Sequence, residues 1–228
     1  MQATARRQKG HKGVGMEGPI ARWYARLRGT ESQIEEYRRE ALRLTAGLPD
    51  RARLLEVAPG PGYFAIEMAR PGRVRVTGLD VSRTFVRLAA ENARRAGVEV
   101  DFRNGDAADM PFQDASFDLV VCQAAFKNFA RPDRALDEMH RVLRDGGMAV
   151  VQDMDHEASR AAIDEEVQHM HLGRVNALMT RFTLSMLRRR AYTRQRMEAL
   201  ATASAFGGCE IETAGIGMDV RLRRQAVT

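Results

Sequence analysis

The sequence predicts an α/β fold, a Rossmann-like sheet of mostly parallel strands with helices on both faces. Three observations carry that reading. From Leu54 onward, short apolar runs alternate with segments of helical periodicity, the pattern of strands and crossover helices. The first run ends in a glycine turn, Ala58-Pro59-Gly60-Pro61-Gly62, that opens a helix. The second ends in an acid, Asp80, at the spacing from those glycines where a carboxylate can hold a ribose.

Seven strands are expected, over 53–58, 74–79, 98–103, 117–122, 148–153, 209–214 and 218–222. Ser82 reads as the N-cap of a helix with Phe85, Leu88 and Ala89 on one face, and Gly97 as the glycine that ends it. Leu136, Met139, Val142 and Leu143 give the next helix a buried stripe, and Arg144-Asp145-Gly146-Gly147 reads as the turn into the fifth strand. Two segments fall outside the alternation. In 16–48, Ser32 with Glu35 reads as a capping box ahead of a helix, preceded by the aromatic pair Trp23 and Tyr24. In 159–191, Val175, Leu178, Met179, Phe182 and Met186 recur at helical spacing, and five of the twelve methionines fall between 154 and 197. A helical cover on the core is the plain expectation; an adaptable lid over an apolar ligand is the sharper one.

With 228 residues, 44% hydrophobic and 29% charged, the chain has the composition of one globular domain with additions. No stretch approaches the ~20 apolar residues of a membrane span, and no apolar secretory segment opens the chain. A cytoplasmic protein is expected, monomer or homodimer, with no membrane partner. Of the net charge of +6, four positive charges lie in residues 1–15, which read as a basic disordered tail. The body is close to neutral, so the charge is weak support for nucleic acid. Cys122 and Cys209 lie far apart in apolar surroundings, which suggests buried thiols and neither a disulfide nor a metal site.

The chemistry concentrates at the ends of the first four strands. Gly60 and Gly62 let the backbone pass close beneath a ligand, Asp80 can accept both hydroxyls of a ribose, and Asp106 is placed to accept from an adenine amino group. Taken with Thr77-Gly-Leu-Asp-Val-Ser82, Gly105-Asp-Ala107, Phe117-Asp-Leu-Val-Val-Cys122 and Glu138-Met-His-Arg-Val-Leu-Arg-Asp-Gly-Gly147, the chain resembles the class I S-adenosylmethionine-dependent methyltransferases, in particular the small bacterial single-domain type that acts on small molecules. A dinucleotide dehydrogenase is disfavoured, since Tyr63-Phe64-Ala65 follows Gly62 where a third glycine would stand.

The resemblance implies a seven-stranded sheet with the last strand antiparallel, a helical lid at 16–48, and a methyltransferase domain at 49–228 with a helical insertion at 159–191. S-adenosylmethionine is the implied cofactor and S-adenosylhomocysteine the product. Residue by residue it implies that Gly60 and Gly62 line the methionine part, Glu56 supports that loop, Asp80 holds the ribose, Val81 packs on adenine, and Asp106 with Ala107 meets its edge. Gln123 is implied near the methyl end. Ala58 and Pro59 depart from the family pattern, which has a glycine and a small residue there, and this puts the contacts of Ala58 in doubt.

For the acceptor, Tyr24, Phe126, Lys127 and Asn128 are the candidate residues, and His156 and Asp153 the weak candidates for a general base. His169 and His171 have no partners that suggest a metal. The signatures of adenine-amino and cytosine-C5 methylation of DNA are missing after the fourth strand. The expected function is methylation of O or N on a small, partly apolar molecule. Methylation of RNA or of a protein or peptide is the alternative, resting on the basic tail and on Arg188-Arg-Arg190, Arg221, Arg223 and Arg224. A non-catalytic cofactor-binding scaffold is the other, resting on Ala58-Pro59.

Overall fold

The computed structural model describes Gly10, Lys12 and residues 16–170 and 173–226. The chain runs through α1 (Gly18–Arg28), α2 (Glu31–Thr45), β1 (Arg53–Val57), α3 (Tyr63–Ala69), β2 (Arg75–Asp80), α4 (Arg83–Ala96), β3 (Asp101–Asn104) and β4 (Phe117–Gln123). A single 3-10 turn, Phe126–Asn128, leads to α5 (Pro132–Val142), β5 (Leu143–Met154), α6 (Arg160–His169), α7 (Arg174–Arg188), α8 (Arg194–Ala203), β6 (Glu210–Ala214) and β7 (Gly217–Arg223). The seven strands form one sheet in the order β3-β2-β1-β4-β5-β7-β6. Strands β1 to β5 pair in parallel, and β7 runs antiparallel to both β5 and β6. The sheet reverses its winding between β1 and β4, which opens a crevice at the carboxyl ends of the strands.

The central strands are buried on both faces, so their side chains alternate between two cores. Leu54, Leu119 and Val121 join Tyr37, Ala41 and Leu44 of α2 and Phe64 and Met68 of α3. Leu55, Val120 and Cys122 join Leu136 and Met139 of α5 and Met197 and Ala201 of α8. Burial holds the thiol of Cys122 well above its ordinary range, and Cys209 is a free thiol as well.

The caps expected for α4 are present: Ser82 Oγ accepts the Phe85 N–H at 3.1 Å, and Gly97 ends the helix at φ 66°. The Val98 N–H then bonds Ala93 O, so Val98 closes the helix and the third strand starts later, at Asp101. Ser32 does not cap a helix. The break falls at Gly29-Thr30, Ser32 lies inside α2, and Trp23 and Tyr24 sit on a separate α1. The fifth strand begins at Leu143. Between the pairs Phe117–Leu143 and Leu119–Met148 the register slips, so Arg144–Gly147 bulges out of the ladder with Gly146 at φ 76° and remains part of the strand.

Helix α7 is not a core cover. None of its residues is buried, and Val175, Leu178, Met179, Phe182 and Met186 are 73%, 66%, 64%, 68% and 46% exposed. Among the described residues no helix is long and apolar enough to cross a membrane. Most of the basic tail and His171 lie outside the described residues.

Candidate active site

Strand β1 carries Glu56 and ends at Val57, after which the chain turns sharply. Ala58 takes φ 60°, Gly60 φ 55° and Gly62 φ 79°, and the Gly62 N–H closes the turn on Pro59 O. The two glycines serve different ends. A Cβ on Gly60 would reach nothing nearer than Tyr24 Cε1 at 4.0 Å, so its bare backbone borders open space. A Cβ on Gly62 would stand 2.7 Å from both Ala89 Cβ and Phe102 Cζ. Gly62 therefore lets α3 pack against α4 and β3, and it does not line the cavity. Ala58 fits the left-handed conformation that a glycine would take, and its N–H bonds Leu79 O at 2.8 Å.

Asp80 fixes this turn from the neighbouring strand. It is 5% exposed and accepts the backbone N–H groups of Gly60 and Ser82 at 3.0 and 2.8 Å. Burial nonetheless raises its carboxyl to about 7. Glu56, 3% exposed, is raised by burial to about 8, and among the described residues its Oε2 has no hydrogen-bond partner. A buried carboxyl oxygen facing a cavity without a partner is costly unless a cation comes to it.

The cavity runs along the ends of β1, β2 and β4. Of the sequence candidates, Glu56, Ala58, Gly60, Asp80, Val81, Asp106, Ala107, Gln123, Tyr24 and Asn128 line it. Asp106 is also held by Arg131 at 2.9 Å and accepts the Ala108 N–H. Gln123 Nε2 donates to Gln152 Oε1, whose own amide donates to Glu40 of α2.

Other candidates are placed elsewhere. Phe126 is fully buried against Phe129 and Tyr192. Lys127 does not face the acceptor side. Its Nζ lies 2.5 Å from Asp153 Oδ1 and donates to Ala124 O, and the pair is 6% and 3% exposed at the side chains. Asp153, a proposed base, is thereby committed to an ion pair. The exposed His156 bonds Arg188 O through Nδ1 and lies outside the cavity lining. Arg188, Arg221 and Arg224 are engaged with Ala158 O, Glu212, and the carbonyls that end α5 together with Asp145. Among the described residues no group of three or more His, Cys, Asp or Glu is arranged to hold a metal ion.

Among the cavity residues outside the sequence candidates, two bear on its charge and polarity. Arg28 lies one turn after Tyr24 on the same face of α1, and that i,i+4 spacing was the available signal. Its guanidinium lies 5.5 Å from the Tyr37 ring centroid, and among the described residues no carboxylate comes within 4 Å of it. Tyr37 of α2 is the second, its phenol raised by burial to about 12 and so protonated at neutral pH. Helix α1 is held over the site by its ends. Glu17 accepts the N–H groups of Arg83 and Thr84, Ser82 Oγ donates to Met16 O, and Tyr63 Oη donates to Ala25 O.

Residues 55–151 match the family model described as a methyltransferase domain. A demethylmenaquinone methyltransferase of Deinococcus radiodurans is 39% identical over 132 residues, which is 56% of this chain and 54% of that protein. A 27-O-demethylrifamycin SV methyltransferase of Amycolatopsis mediterranei is 36% identical over 134 residues, 56% of this chain and 48% of that one. The chain thus spans about half the length of these relatives. A solved SAM-dependent methyltransferase from Aquifex aeolicus shares the fold at TM-score 0.67 and 16% identity, covering 89% of this chain and 97% of that one.

Proposed function

We propose that the chain, whose residues 55–151 match a methyltransferase domain, is a class I S-adenosylmethionine-dependent enzyme that transfers a methyl group from that cofactor to O or N of a small, partly apolar molecule by in-line displacement. One observation carries the reading: Glu56 Oε2, a buried carboxyl oxygen with no hydrogen-bond partner among the described residues, and the Arg28 guanidinium, with no carboxylate within 4 Å among them, line the same cavity beside the glycine turn. The amino-acid end of the cofactor is a zwitterion, and a carboxylate and a guanidinium are the complementary pair. Glu56 would take the ammonium and Arg28 the carboxylate. Asp80 would accept the ribose hydroxyls, with Val81 against the adenine and Asp106 and Ala107 at its edge. Gly60 leaves the room that a Cβ would fill.

When bound, the cofactor supplies a methyl group made electrophilic by its sulfonium. What the chain adds is positioning and exclusion of water. Tyr24, Phe85, Asn128 and Phe129 form the remaining apolar and polar wall. Tyr24 and Phe85 stand edge to face at 6.0 Å. Helix α1 acts as the lid, and among the described residues none between 159 and 191 lines the cavity. Among the described residues the wall holds no histidine and no lysine, and its buried carboxyls are given to the cofactor. An acceptor that arrives as a competent nucleophile, an amine or a hydroxyl ionised in solution, needs no base from these residues, and it has to be small enough to fit beside Gln123 and Asn128.

The scaffold reading loses its sequence support, since Ala58 keeps the backbone shape of a glycine. Calorimetry with S-adenosylhomocysteine tests the cofactor half. Binding should be weakened about tenfold or more by Arg28→Ala, the usual effect of losing a charge-assisted hydrogen bond. No heat of binding to the unaltered chain would sink the reading. Methyl transfer to a panel of amines and phenols tests the acceptor half.

A further inference from the structure

Among the described residues, eight of the ten large apolar side chains that stand exposed lie on two helices, Ile20, Trp23 and Leu27 on α1 and five on α7. On α7 the stripe points away from the body, because the partly covered residues, among them Ala177, Thr180, Leu184 and Leu187, lie on the other side of the helix. On α1 the outward stripe lies between Arg22 and Arg26 on one side and the cavity residues Tyr24 and Arg28 on the other. Neither helix contains an acid, and together they carry six arginines. Among the described residues Arg22, Arg26, Arg174 and Arg189 have no carboxylate within 4 Å. Both helices are anchored at the carboxyl edge of the sheet. Glu17, preceding α1, holds the start of α4, and the Arg188 carbonyl at the end of α7 accepts from Nδ1 of His156, just past β5.

We propose that α1 and α7 form a docking surface for an anionic lipid bilayer, on which the chain lies without spanning it. Apolar residues including a tryptophan, bordered by unpaired arginines, are what an interfacial helix needs: acyl-chain contact for the stripe and phosphate for the guanidinium groups. Pairing of the same surface with a second copy would set arginine rows against arginine rows, so charge complementarity favours an acidic surface. Nucleic acid would leave the stripes uncovered. Docking would set the mouth beside Tyr24 and Arg28 at the bilayer surface.

Trp23 is the one tryptophan of the chain, so its fluorescence reports on α1 directly. The full chain, without cofactor, is titrated with vesicles of phosphatidylcholine and phosphatidylglycerol at 3:1 and with pure phosphatidylcholine, and flotation is measured in parallel. A blue shift and flotation with the anionic vesicles alone are expected. Arg22→Gln with Arg26→Gln should lower partitioning by about fivefold per charge removed, and Leu178→Asp with Phe182→Asp, both exposed, should abolish flotation while leaving the far-ultraviolet circular dichroism unchanged. No shift and no flotation would overturn the proposal. So would equal binding to neutral vesicles, or a solution dimer that the Leu178 and Phe182 substitutions dissociate. None of these readouts depends on methyl transfer.

Discussion

The carboxylate of Asp80 holds the backbone N–H of Gly60 at 3.0 Å, so the acid that ends β2 shapes the glycine turn that follows β1. One residue thereby serves the turn and, in the proposed complex, the ribose. Asp80→Ala removes both, and S-adenosylhomocysteine affinity should fall by about a hundredfold, as for two charge-assisted hydrogen bonds. Asp80→Asn, which can still accept from one N–H, should lose less. Calorimetry on the two variants separates the roles, and equal affinity for Asp80→Ala and the unaltered chain would remove Asp80 from the site.

Burial raises Glu56 and Asp80 from ordinary values of 4.5 and 3.8 to about 8 and about 7. Between those ordinary values and the raised ones the folded chain retains protons that the unfolded chain has released. Each carboxyl therefore contributes a stability that declines as pH rises from about 4 towards 8. Ligand binding has the opposite preference, since an ammonium and ribose hydroxyls both favour the ionised acids. Binding near pH 6.5 should release protons, visible as a dependence of the calorimetric heat on buffer ionisation enthalpy, and affinity should rise towards pH 8. Glu56→Gln should flatten the stability profile, reduce the proton release and weaken binding at pH 8 by about tenfold. Proton uptake on binding would contradict the assignment.

Lys127 and Asp153 form a buried pair that also fixes the 3-10 turn, because Asp153 Oδ2 accepts the Lys127 backbone N–H at 3.1 Å. Lys127→Met leaves the carboxylate buried without its partner and should cost about 3–5 kcal/mol in denaturant unfolding. Adding Asp153→Asn should restore more than half of the loss. If the pair is structural, the double variant should keep its kcat at a temperature where it is folded; a kcat lowered a hundredfold there would place the pair in the chemistry.

That pair also marks the limit of what the sequence discloses. The parallel strands, the Ser82 and Gly97 caps and the positions of Gly60 and Asp80 follow from periodicity and local turn chemistry, which act over a few residues. Lys127 reads as a loop cation because its partner sits 26 residues away on another strand. Ser32 and Glu35 imitate a capping box three residues apart, yet the chain breaks at Gly29-Thr30, where Tyr63 of α3 packs close against Gly29. Arg28 was hidden for a similar reason, since a basic residue at a helix end is ordinary until the fold aims it at a cavity. The α7 stripe has helical spacing but no partner in the fold, and spacing alone does not distinguish a covered face from an open one.

Ala58 and Ala124 both take left-handed backbone angles, φ 60° and 55°, at the ends of β1 and β4 where the cavity opens. Each costs about 1–2 kcal/mol relative to a relaxed residue. Replacement by glycine removes that strain but returns about 0.4–1 kcal/mol through the freer unfolded chain. Ala58→Gly should therefore be neutral to slightly stabilising, by up to about 1 kcal/mol, and Ala124→Gly the same. Ala58→Val adds a branched Cβ to a conformation it strongly disfavours and should destabilise by more than about 2 kcal/mol. The separation between Gly and Val at one site, measured by denaturant midpoints at constant m-value, isolates the backbone effect from the loss of a methyl contact. A destabilised Ala58→Gly would show instead that the methyl group, packed against the α5 side of the core, matters more than the angle.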